Sequence, residues 1–128
     1  MRKYSIRMLI LLFVQYLLGM INNLFVQFPN TSNHGALWEF AWSQISVAIH
    51  IILGFGLLIF ALVIVLAAIK KKIKAWILPA WCGLISILLA AASGALFVDQ
   101  QKDIYSFFMS VFFITAVVSY VWGIVKTK

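Results

Sequence analysis

Residues 45–69, ISVAIHIILGFGLLIFALVIVLAAI, contain no acidic or basic residue other than His50. A helix rising 1.5 Å per residue needs roughly 20 apolar residues to cross about 30 Å of hydrocarbon, so this stretch is long enough to span a bilayer. Three more stretches share that character, at residues 8–28, 76–98 and 104–125. Together they predict an all-α, membrane-spanning four-helix bundle in a single domain covering residues 1–128, with residues 29–44 as its one long loop.

Composition leads to the same solvent. Of 128 residues, 65% are hydrophobic and 10% charged, which leaves too little polar surface for a water-soluble fold. The net charge of +7 would suggest nucleic acid in a soluble protein, but here the basic residues mark the ends of apolar spans. Arg2, Lys3 and Arg7 precede the first span, Lys70, Lys71, Lys72 and Lys74 join the second to the third, and Lys126 and Lys128 end the chain. Only Lys102 breaks the pattern, and the three acids, Glu39, Asp99 and Asp103, all lie in the opposite loops. The positive-inside rule then places both termini in the cytoplasm, in a plasma membrane and, from the brevity of the loops, in a bacterial host. The lysine cluster anchors this topology and contacts anionic lipid headgroups, and nucleic acid is not expected as a partner.

The first stretch has the basic start and apolar centre of a secretory signal, but Gly19, Met20 and Ile21 offer no small-residue cleavage pair, so an uncleaved helix is expected. Cys82 is the only cysteine and reads as an inert packing residue. Trp38, Phe40 and Trp42 crowd the second half of the long loop, where amphipathic rings favour the headgroup level; residues 36–43 are expected to form a short interfacial helix or the wet start of the second span. His34, beside Gly35, is expected to be solvated.

Polar and small residues within the spans recur at helical spacing. Gln15, Gly19 and Asn23, with Asn22 beside them, share a face of the first span; Ser46, His50 and Gly54 do so in the second; Ser86, Ala90 and Gly94 in the third; Thr115, Ser119 and Gly123 in the fourth. Such rows let helix backbones approach closely where lipid supplies no hydrophobic drive. Counted from the predicted span ends, Asn23, His50, Ser93 and Met109 each sit five residues in, about 7.5 Å deep at 1.5 Å per residue.

His50 is the one ionisable group well inside the apolar core, which makes it a functional candidate. Three readings of it compete. It is a structural histidine bonded to Asn23 or Ser93; an axial ligand to haem b, with Gly54 leaving room for the macrocycle and Met109 as second ligand; or a proton relay in a small-solute transporter, which would need a second titratable group. No carboxylate pair, zinc motif, phosphate loop or nucleophile elbow accompanies it, so hydrolase chemistry is not expected.

The set Gln15, Gly19, Asn22 and Asn23, His50 with Gly54, Ser93 with Gly94, and Ser106 with Met109 resembles small, largely uncharacterised bacterial four-helix membrane proteins, a likeness that implies no activity. The short His50-x-x-x-Gly54 motif is distantly similar to four-helix b-type cytochromes, which bind haem between histidines on facing helices. The chain lacks the further membrane histidines of the two-haem version. Small multidrug exporters share its length and helix count but depend on an acidic residue in the first helix, where Gln15 stands. The leading expectation is an accessory or scaffold subunit acting through helix packing, with a membrane-protein partner or a second copy of the chain. The alternative is a single-haem electron carrier liganded by His50.

Overall fold

A computed structural model describes residues 1–127; Lys128, counted above among the basic residues, lies outside them. The described chain is all helical, with α1 (Arg2–Phe25), α2 (His34–Ser43), α3 (Ile45–Lys70), α4 (Lys74–Gln100) and α5 (Asp103–Lys126). Four of them, α1, α3, α4 and α5, are long and apolar enough to cross a membrane.

Boundaries differ from the sequence expectation where local chemistry intervenes. α1 starts six residues early because nothing in Arg2, Lys3 or Arg7 breaks a helix. It ends at Phe25, with Val26 already extended at φ −102°, ψ 120°. Pro29 disfavours helical geometry in the residue before it, so the chain does not return to helix before the loop. α4 likewise runs beyond its predicted ends and carries Pro79 inside it, buried among its neighbours. The ring lacks an N–H for the carbonyl four residues back, a loss that neighbouring helices make tolerable in a membrane bundle.

The four long helices form a closed antiparallel ring in which α1 packs on α3, α3 on α4, α4 on α5 and α5 back on α1. Contacts fix the directions: Tyr4 meets Phe60 and Gln15 meets His50 across α1–α3, while Tyr16 stacks on Phe113 across α1–α5. The start of α1, the α3–α4 turn and the end of α5 therefore share one end of the bundle, here called the basic end. At that turn the amide of Ile73 bonds the carbonyl of Ala68 at 3.1 Å, and Lys72 takes the left-handed conformation at φ 52°.

The main core is weighted toward the basic end. Met8 and Leu12 from α1, Leu57, Ala61, Ile64, Val65 and Ala68 from α3, Trp76, Ala80 and Ile87 from α4, and Ala116 and Tyr120 from α5 are all buried. Three aromatic or thioether side chains rest on glycines of the facing helix: Tyr120 on Gly83, Trp76 on Gly123 and Met109 on Gly94. All three seats lie between α4 and α5. A second, smaller cluster at the opposite end joins Ala41 of α2, Val47 of α3 and Val98 of α4, with Phe28 and Trp38 against them.

Of the two expectations for residues 36–43, a separate short helix is the one observed, and it begins two residues earlier. Asn33 caps it, its side-chain oxygen accepting from the amide of Ala36 at 3.3 Å. Gln44, at φ −87° and ψ 114°, separates it from α3, so α2 is an independent helix. Leu37 and Ala41 turn inward and Trp42 outward.

Candidate functional site

Gln15 and Asn22 of α1 meet His50 and the Ser46 backbone of α3 at the α1–α3 seam, in the half of the bundle away from the basic end. Gln15 Nε2 donates to the His50 backbone carbonyl at 3.0 Å and lies 3.3 Å from His50 Nε2. An amide that donates to both leaves Nδ1 as the protonated ring nitrogen. Nearer the loop end, Asn22 Nδ2 donates to the Ser46 carbonyl at 3.4 Å. Both glycines predicted on these faces serve the same group of atoms. A Cβ on Gly19 would lie 3.3 Å from His50 Cε1, and one on Gly54 would lie 3.4 Å from Gln15 Nε2. The two glycines thus set how closely the imidazole and the carboxamide approach the opposite backbones.

His50 is therefore joined to Gln15 and not to Asn23 or Ser93. Asn23 is exposed on the bundle surface, because neighbouring positions on a helix differ by about 100° and Asn22 occupies the inward direction. Ser93 is buried and donates to the Leu89 carbonyl of its own helix at 2.8 Å, a common resting place for a membrane serine. Met109 has its sulphur against Gly94 on α4. The four residues expected at one depth do not form one cluster. Gln15, on the same predicted stripe as Asn23 but two turns away, is the partner that sequence depth-counting missed. The helical spacing Gln15–Gly19 against His50–Gly54, read antiparallel, was the signal for it.

The seam is incompletely satisfied. Gln15 Oε1, Asn22 Oδ1 and His50 Nδ1 are buried with no hydrogen-bond partner. In a hydrocarbon environment each such atom costs several kcal/mol relative to a paired one. Beside Gly54 lies the Gln15 carboxamide, at ordinary van der Waals distance from where a Cβ would stand. Among the described residues no group of three or more His, Cys, Asp or Glu side chains converges as a metal site would require.

A second polar locus lies at the loop end. His34, the first residue of α2, keeps its exposed side chain beside the α4–α5 turn, with Nδ1 2.8 Å from the Asp99 carbonyl oxygen and 3.0 Å from Asp99 Oδ1. The contact straps α2 onto the end of α4; His34 is exposed to solvent as expected, but it opens a helix and does not lie in the loop. An exposed pair of this kind contributes little to stability. Thr31, Ser32, Gln101 and Lys102 border a shallow open pocket there.

Compared with known protein families, with curated proteins and with solved structures, the chain matches none of them.

Proposed function

We propose that this chain is a small polytopic protein of the plasma membrane, with both termini cytoplasmic, that acts as an accessory or scaffold subunit through helix packing. The charge asymmetry supports the orientation: every basic residue described here except Lys102 lies at the basic end or in the first turns leading from it. Gly56 carries the scaffold reading. Gly19, Gly54, Gly83, Gly94 and Gly123 each seat a side chain of a neighbouring helix, whereas a Cβ on Gly56 would meet nothing within 4 Å. Gly56 is exposed on the outward face of α3, flanked at helical spacing by exposed Ile52, Ile59 and Val63, with exposed Phe55 beside it in sequence. A small residue set into a ridge of large ones lets a second helix approach closely where packing supplies the attraction.

The test compares particle mass in mild detergent, by light scattering, for the wild-type chain and Gly56→Leu. A larger assembly that falls to the single chain in the variant, with helix content unchanged, supports the reading; equal masses for both overturn it.

The competing reading is a haem b electron carrier liganded by His50. One observation favours it: His50 Nδ1 has no protein partner, and in the tautomer protonated at Nε2 its lone pair would be free for iron; the Gln15 carboxamide, whose donation to Nε2 requires the other tautomer, weighs against it. Purification from haem-replete cells separates the two, since an electron carrier shows a Soret band that His50→Ala abolishes and a scaffold shows none.

A further inference from the structure

The seam between α1 and α5 is not closed along its whole length. Leu9, Phe13 and Tyr16 of α1 face Phe113, Val117 and Val121 of α5 across a groove of about 420 Å³ that is almost wholly apolar. The groove covers only part of the bundle. From Phe113 to Val121 is eight residues, or about 12 Å at 1.5 Å per residue, which is close to one leaflet's share of a hydrocarbon core of about 30 Å. Its far limit is the Tyr16–Phe113 pair, stacked with ring centroids 5.9 Å apart at 28°, and it runs from there toward the basic end.

Charge at that end is arranged with respect to the groove. Seven residues make two helical turns, so Arg2 stands on the same face of α1 as Leu9, one further span of about 10 Å toward the chain terminus. Arg7, two residues before Leu9, is turned about 200° away and lies on the opposite face. Both side chains are exposed.

We propose that this groove seats one acyl chain of an anionic phospholipid from the leaflet at the basic end, with its phosphate held by Arg2. Three features converge on that occupant. The lining is hydrocarbon-like, the length matches a single leaflet, and a cation stands in line with the groove where a headgroup would lie. The free N–H groups of the first turn of α1 add positive potential at the same place. A phosphatidylcholine chain would satisfy the apolar wall but forfeit the net attraction for Arg2. The site is distinct from the outward face of α3 around Gly56 and does not depend on it.

Native mass spectrometry of the full chain, released from nanodiscs of equal phosphatidylglycerol and phosphatidylcholine, tests the proposal. Wild-type protein is expected to retain one phosphatidylglycerol per chain in preference to phosphatidylcholine. Arg2→Gln is expected to lower that preference roughly fivefold, the effect of one basic residue at an anionic surface, while Arg7→Gln leaves it unchanged. Filling the groove from either wall, with Leu9→Phe or Val117→Phe, is expected to abolish retention of the bound lipid with helix content intact. Equal retention of the two lipids by the wild-type chain overturns the proposal, as does an equal effect of Arg2→Gln and Arg7→Gln. A wild-type mass of two chains with no lipid overturns it in favour of a second copy in the groove.

Discussion

The phenol ring of Tyr120 lies so close over Gly83 that a Cβ at that glycine would stand 2.5 Å from the ring's Cζ and 2.8 Å from its hydroxyl oxygen. Tyr120 is fully buried, so the ring cannot swing into lipid to make room. The close approach of α4 and α5 depends on the missing methyl group.

Gly83→Ala should therefore destabilise the bundle by about 1–3 kcal/mol, the usual cost of overpacking. Gly123→Ala, under the indole of buried Trp76, should do the same. Gly56→Ala, with open space around it, should be neutral or slightly stabilising through helix propensity. Reversible unfolding in mixed micelles, followed by circular dichroism, ranks the three variants.

At the α1–α3 seam, Gln15→Leu and His50→Leu should each destabilise, because each leaves the other side chain buried without its contact. The double variant should recover most of the loss. Interhelical hydrogen bonds in membrane bundles are worth about 0.6 kcal/mol on average, so a coupling on the order of 1 kcal/mol is expected from the cycle. A coupling near zero would mean that the two side chains do not act together.

Removing the cap of α2 tests its independence as a helix. Asn33→Ala eliminates the bond to the Ala36 amide and should weaken α2 by about 1 kcal/mol. Hydrogen exchange should accelerate across residues 34–43 and remain unchanged in α4 and α5.

Lys72 holds a left-handed conformation at the α3–α4 turn without being glycine. Lys72→Gly relieves that strain and should stabilise by up to about 1 kcal/mol. Thermal denaturation against Lys71→Gly, a position with φ −81°, supplies the control, which should lose stability.

The four spans and the capping helix at the loop end could be read from the chain because length and charge placement survive without knowledge of packing. The rotational setting of each helix could not. On α3, buried Leu57, Ile64 and Val65 differ in no chemical respect from exposed Ile52, Ile59 and Leu66. In water the exposed set would be polar and would reveal the inward face; beside hydrocarbon both faces are equally apolar, and the signal vanishes. Polar residues are the remaining guide, and they misled at Asn23 because two adjacent asparagines left the inward direction open, which Asn22 takes. The Gln15–His50 contact was missed, because the matching Gln15–Gly19 and His50–Gly54 spacings stood level with several equivalent pairings until the helices were set against each other.

The three glycine seats between α4 and α5 also bear on how the molecule is assembled. They join helices separated by a turn of only a few residues, so this hairpin can pack as soon as its second helix has formed. The α1–α5 groove, by contrast, is built from the first and the last of the five helices described. α1 is made before α5, so the flank of α1 that faces the groove stays uncovered until α5 has followed it, and this seam can form only after the α4–α5 hairpin is complete.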